Sequence, residues 1–327
     1  MRERAARLSA RDRRRGTVIR IGTRASALAT AQSGTVVAAL AAAGEPAELV
    51  PMVSAGDRTR ASLASLGGTG IFATRLREAL LAGECDALVH SLKDLPTAPH
   101  PGLAFAATPA REDPRDVLCG ARLADLPRGA RVGTGSPRRR ARLLAARPDL
   151  DVVDIRGNVE TRLARALGPG ADLDAVVLAA AGLRRLGRTE VIDEYLDGPA
   201  APGQGAIVVE VRAGDDALAR RLRVLHDAPT WAATTAERSL LAALEAGCAA
   251  PVAALAGTGD PASPGNSDNP ERTGPSGNPD LRLEAIAYAP DGSSLVTGTA
   301  TGTAEGAGAL GRGLAAELLA GGAAAWL

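Results

Sequence analysis

Short apolar or β-branched runs alternate with longer helical stretches through the first two thirds of the chain. Thr17-Val-Ile-Arg-Ile-Gly22 reads as a strand. Ser26 is placed to cap a helix that runs to about Ala43 and stops at Gly44. Residues 48–53 read as a second strand, Ile71–Leu81 as a helix, and Asp86-Ala-Leu-Val-His90 as a continuous apolar strand of the kind buried in parallel sheets. The same grammar then recurs. Arg131-Val-Gly-Thr-Gly-Ser136 is strand then glycine turn, and Pro137 opens a helix to Ala146 from its favoured first position. A strand at 151–155, a helix at 159–167 and a buried strand at 174–178 follow.

Alternation of this kind predicts an α/β layer architecture with right-handed crossovers. The economical picture is two α/β lobes of similar plan with a cleft between them, ligands lying beyond the carboxyl ends of the strands. Residues 206–211 read as one more strand, returning to the first lobe. From Trp231 the character changes. A helix at 234–246 leads to Gly247-Cys248, a strand at 281–288 follows, and a helix at 308–319 closes a smaller α+β domain. The Gly-, Pro-, Asn- and Ser-rich stretch 257–280 reads as a disordered insertion. The expected domains are thus an Arg-rich disordered arm (1–16), lobe 1 (17–110 with 206–223), lobe 2 (111–205) and the α+β domain (228–327).

Composition narrows the function. With 38 Lys+Arg against 37 Asp+Glu and a net charge of +1, no global field draws the 327-residue chain to nucleic acid or anionic lipid. Two Trp, two Tyr and two Phe are too few for base-stacking platforms. No apolar run is long enough to span a bilayer, and the arm at 1–15 lacks the apolar core of a secretory signal. Cys85, Cys119 and Cys248 are widely spaced, and with three His they make neither a disulfide framework nor a metal site, so no metal is expected. A cytoplasmic protein follows.

Three features carry chemistry. His90-Ser-Leu-Lys-Asp94 places polar groups where an apolar strand meets a loop. Lys93 is also the chain's one lysine; every other basic residue is Arg, so this position either marks a place where a compact point charge serves and a planar fork does not, or is a chance survivor of a general drift to Arg. Next, Gly133-Thr-Gly-Ser136-Pro-Arg138-Arg139-Arg140 exposes helix N-terminal N–H groups beside guanidinium forks, an anion site. Arg156-Gly-Asn158 with Arg162, and Arg24 with Ser26, repeat the arrangement and together predict a site for a multiply carboxylated or phosphorylated ligand. No P-loop or complete GxGxxG favours a nucleotide. Finally, Cys248 lies on a glycine-flanked loop, open to use as a nucleophile or an attachment point. A two-lobed anion-binding protein without catalysis would keep the arginines but would need neither Asp94 nor Cys248.

In order, the motifs Gly22-Thr-Arg-Ala-Ser-Ala-Leu-Ala29, Gly67-Gly-Thr-Gly-Ile-Phe72, Val89-His-Ser-Leu-Lys-Asp-Leu-Pro96, Arg111-Glu-Asp-Pro-Arg-Asp116, Ser136-Pro-Arg-Arg139, Arg156-Gly-Asn-Val-Glu-Thr-Arg162, Ala179-Ala-Ala-Gly-Leu-Arg-Arg-Leu-Gly187, Pro202-Gly-Gln-Gly205 and Leu244-Glu-Ala-Gly-Cys248 resemble those of the hydroxymethylbilane synthases, or porphobilinogen deaminases, from about Val18 to Leu319. The resemblance implies two lobes like type II periplasmic binding proteins plus a third domain. It implies a transferase of tetrapyrrole (haem) biosynthesis that joins four porphobilinogen molecules head to tail, releasing ammonia, to give linear hydroxymethylbilane. It further implies a dipyrromethane cofactor attached by a thioether to Cys248, and Asp94 as the catalytic carboxylate that handles protons and steadies the azafulvene cation. Arg138, Arg139, Lys93, Ser136, Thr134 and Asp94 would bind the cofactor; Arg24, Ser26, Arg156, Arg162, Phe72 and Gln204 would bind substrate. A monomer passing its product to uroporphyrinogen-III synthase is expected. Departures from the family pattern are Ser65 and Thr69 in place of lysines, Ala246 and Ala249 beside the anchor, and Pro137.

Overall fold

The computed structural model describes residues 18–52, 71–247, 250–258 and 281–327. The arm at 1–16, Gly67 to Gly70, Cys248, and the insertion from residue 259 to 280 lie outside the described residues.

The described residues pack as two units, one drawn from Met1–His90, Pro99–Pro109 and Ile207–Asp227, the other from Ser91–Ala98, Ala110–Ala206 and Ala228–Leu327. The first unit is built on a five-stranded sheet in the order β2-β1-β3-β10-β4, with β1 at Ile19–Arg24, β2 at Ala47–Met52, β3 at Ala87–Ser91, β4 at Leu103–Ala107 and β10 at Ile207–Arg212. β1 pairs in parallel with β2 and with β3, and β10 runs antiparallel to β4. Helix α1 (Ala27–Ala42) starts at Ser26, whose hydroxyl accepts from the Ala29 N–H, and covers one sheet face with Val36 and Leu40. Helix α2 (Ile71–Leu81) covers the other with Leu76 and Leu80, alongside Cys85 and Leu88. Cys85 and Cys119 are free and buried, and burial pushes their thiols up to about 11 and about 12.

The second unit repeats that order in the sheet β7-β6-β8-β5-β9, with β5 at Asp116–Cys119, β6 at Arg131–Gly133, β7 at Asp151–Val153, β8 at Ala175–Ala179 and β9 at Glu194–Leu196. Helices α3 (Pro137–Ala146) and α4 (Val159–Leu167) follow β6 and β7, and the short α5 (Ala180–Arg185) follows β8. In each sheet the fourth strand comes from where the chain enters from the other unit: β5 pairs antiparallel with β8 and β9, and β10 returns to the first sheet. Helix α6 (Asp216–Leu222) then packs Leu218 and Leu222 under the first sheet.

The rest of the second unit is an antiparallel sheet, β11 (Val252–Thr258), β12 (Leu281–Tyr288) and β13 (Leu295–Gly302), under helices α7 (Ala228–Ala243) and α8 (Ala307–Ala320). Leu240, Leu283 and Leu314 are fully buried in its core, each stabilising the fold by roughly 1.5–3 kcal/mol. Two readings need correction. α7 begins six residues earlier than expected, since Pro229 falls in its first turn where no N–H partner is needed. Gly257 and Thr258 belong to β11 and not to the insertion, because they pair with Arg282 and Leu281.

Candidate active site

The loop after β3 is fixed by its backbone. Leu92–Asp94 forms one 3-10 turn, with Leu92 buried and its N–H donating to the Ala206 carbonyl at 3.0 Å. From α7, the Arg238 guanidinium donates to the carbonyls of Leu95 at 3.1 Å and Pro96 at 2.6 Å. The turn leaves the Asp94 residue exposed and points Lys93 inward, where its ammonium donates to Gln204 Oε1 at 3.1 Å. Burial, and then the positive charge of Arg139, push Lys93 down to about 8, with Asp94 and Asp116 opposing.

Around Lys93 lies the first turn of α3. Ser136 caps it by accepting from the Arg139 N–H at 3.4 Å, and Thr134 Oγ1 accepts from the Ser136 N–H at 3.2 Å. The cap aims Arg138 and Arg139 inward, with only 3% and 6% exposed, onto the fully buried Asp116 at the start of β5. Arg138 donates through Nη1 and Nη2 to the two Asp116 oxygens at 2.7 and 3.1 Å, and Arg139 through Nε at 2.9 Å. Arg142, one turn on, brings Nη1 to 3.6 Å. Gln204 bridges the group: Nε2 donates to Asp116 at 2.9 Å and to the Pro114 carbonyl at 2.7 Å, while Oε1 accepts from Lys93 and Arg139. Burial pushes the Asp116 carboxyl up, but Arg138 and Arg139 win and hold it well below the usual carboxylate range. Arg139, Arg142 and Arg162 are each lowered, by burial first, with neighbouring cations adding to it for all three.

Four cations thus face one buried carboxylate, an imbalance that is costly without further anions. The buried Nε of Arg138 and of Arg156 have no hydrogen-bond partner among the described residues. Arg156 follows β7 and lies 3.5 Å from Asp154; Arg162, on α4, donates to the Gly157 carbonyl and sits within the field of Arg139, Arg156 and Asp94. The second unit therefore gathers Lys93, Asp94, Thr134, Ser136, Arg138, Arg139, Arg156, Arg162 and Gln204. Arg24 and Ser26 belong to the first unit, at the end of β1 and the cap of α1. The Phe72 side chain and Cys248 lie outside the described residues.

Family models match nearly the whole chain: the dipyrromethane cofactor binding domain of porphobilinogen deaminase over residues 19–220 and the porphobilinogen deaminase C-terminal domain over 231–320. The chain belongs to the porphobilinogen deaminase family. The porphobilinogen deaminase of Leifsonia xyli is 51% identical over 96% of this chain and 95% of its own. Porphobilinogen deaminase 1 of Streptomyces coelicolor is also 51% identical, over 94% and 96%. That of Thermobifida fusca is 49% identical, over 94% and 95%. Among solved structures the chain is similar to the methionine-binding protein MetQ, with 14% identity, a TM-score of 0.39, and 64% of this chain and 88% of that chain covered. As a member of this family the chain is a transferase of porphyrin biosynthesis with a dipyrromethane cofactor.

The residues present fit that group. A dipyrromethane carries several carboxylates, and the surplus of enclosed cations with orphaned guanidinium N–H groups is the complement such a ligand needs. Reading the sequence alone passed over four participants. Asp116 and Arg142 complete the cation cluster, and Arg238 ties down the Asp94 loop. Glu237, fully buried, receives both terminal nitrogens of Arg111 at 2.6 and 3.1 Å and the N–H groups of Gly203 and Ala256. One signal was available for Arg142: it follows Arg138 by four residues, so both lie on one helix face.

Proposed function

We propose that Asp94 is the catalytic carboxylate of hydroxymethylbilane synthesis, the stepwise head-to-tail joining of four porphobilinogen molecules with release of ammonia, and that Cys248 carries the dipyrromethane through a thioether. When bound, that group supplies the pyrrole carbon to which the first substrate is joined. Arg138, Arg139, Lys93, Ser136 and Thr134 hold its acidic arms, and Arg24, Ser26, Arg156, Arg162, Phe72 and Gln204 bind substrate. Asp94 holds a proton for the leaving amine nitrogen and, as carboxylate, lowers the energy of the positive charge that develops on the substrate's methylene carbon. The forks absorb the ligand carboxylates, so Asp94 is the acidic group left facing the reacting carbon. A covalent anchor replaces repeated bimolecular encounters by local ones.

The observation that carries this reading is the enclosed cation cluster around Asp116 beside the solvent-accessible Asp94. Intact mass tests it. The purified protein should exceed its sequence mass by a two-pyrrole unit, and the excess should be absent from Cys248→Ser. Active protein at bare sequence mass overturns the assignment. The same proposal divides the chain into arm, two lobes and anchor domain at the boundaries expected from sequence. It makes the enzyme a cytoplasmic monomer whose product passes to uroporphyrinogen-III synthase. Among the described residues no helix is long and apolar enough to cross a membrane.

A further inference from the structure

Asp116 is fully buried, and it touches most of what the ligand needs. Its position is set by backbone, since it pairs with Ala179 on one side and Leu196 on the other at the first step of β5. Gln204 cannot turn its amide over without placing its N–H groups against Lys93 and Arg139 and its oxygen against the Asp116 carboxylate and the Pro114 carbonyl. A carboxylate here therefore fixes two things at once. It clamps the terminal nitrogens of Arg138 while leaving Nε unused, and it orients the amide that receives the ammonium of Lys93.

We propose that Asp116 is a positioning residue for the reaction: it aims Arg138 and Arg139 at ligand carboxylates and, through Gln204, holds Lys93 in place beside Asp94. The inference rests on the reading that these cations receive a ligand's acidic arms, and it adds a part for the buried carboxylate behind them. Among the described residues, the charged groups facing Lys93 include Arg138 and Arg139 on α3, Asp116 on β5 and Asp94 on its own turn. Removing Asp116 takes away a negative charge, so the Lys93 midpoint must fall. Unfolding would move it the other way, up to that of a free lysine.

Because the chain holds one lysine, a small acylating reagent followed by peptide mass analysis reads Lys93 alone. Labelling rate against pH should show a midpoint about one pH unit lower in Asp116→Asn than in the parent protein as purified. In the same variant KM for porphobilinogen should rise by about tenfold or more while kcat falls less, and the two-pyrrole mass should be partly lost. Gln204→Met keeps the Asp116–arginine pairs and cuts the link to Lys93, so it should lower the midpoint too. A folded Asp116→Asn with the parent's midpoint and KM overturns the proposal. Should Asp116→Asn not fold, an unchanged midpoint in Gln204→Met overturns it instead. The labelling needs no substrate, so its failure is distinct from failure of the enzymatic assignment, which the intact mass decides.

Discussion

Lys93 and Asp94 are neighbours in sequence and opposites in setting. One turn of 3-10 helix encloses the ammonium and leaves the carboxylate accessible. That contrast suits a proton carrier that must meet each incoming substrate, next to a cation that stays put. Asp94→Asn keeps the size of the side chain and removes its charge. The variant should retain the attached two-pyrrole mass or longer stalled chains, and turn over roughly a hundredfold to ten-thousandfold more slowly. Near-normal turnover removes Asp94 from the mechanism. Acid response belongs to this scale too. Asp116, Asp86 and Asp113 all have their carboxyl groups held low by arginines in spite of burial. Their unfolded counterparts take up protons first, so the stability they supply is complete above an ordinary aspartate value and drains as pH falls through the depressed one. Melting temperature should be nearly level down to about pH 5 and fall steeply below about pH 4. An unchanged melting point at pH 3 contradicts the buried pairing. Arg138, Arg139, Ser136 and Lys93 were legible because polar residues at strand-to-helix junctions are conspicuous. Asp116 was not, since its partners Arg138 and Gln204 stand 22 and 88 positions away and an aspartate opening an apolar strand looks like a boundary.

At the scale of elements, the segments that could be read were those with a clear period or a bounded apolar run. Helix α2 falls where its pattern places it, and β3 and β8 shift by one residue. β11 and β13 escaped notice. Val252–Thr258 holds three alanines and a glycine among its seven residues, and Leu295–Gly302 alternates threonine with glycine and alanine, so neither offers the run of large apolar side chains by which the other strands stand out. They are strands because β12, with Leu281, Leu283 and Ala285 turned into the core, gives both a partner. The two helices over this sheet meet through Gly311, where an added Cβ would overlap the Ala236 carbonyl oxygen and crowd the Leu240 nitrogen. Both obstacles are backbone and cannot rotate away. Gly311→Ala should therefore cost about 1–3 kcal/mol in chemical denaturation. A neutral result would show that α7 and α8 slide apart freely.

Over the whole molecule, the alternation of strands and helices announced two similar sheets, and the ordered motifs announced the chemistry. The return of residues 206–211 to the first sheet could be read from the order of elements; what that order could not announce was the slot the strand takes, between β3 and β4. β10 lies between β3 and β4 of the first sheet although 94 residues separate the end of β4 (Ala107) from Pro202-Gly-Gln-Gly205, the loop that delivers it. This arrangement has a bearing on birth as well as on catalysis. A ribosome that has released the first 110 residues has made four of the five strands of that sheet and left a slot in its interior, with the backbone N–H and C=O groups of β3 and β4 facing an absent neighbour. The slot fills only after the second sheet's strands have all been synthesised. The nascent chain therefore spends about a third of its translation with an open seam, the interval in which a chaperone would be most needed.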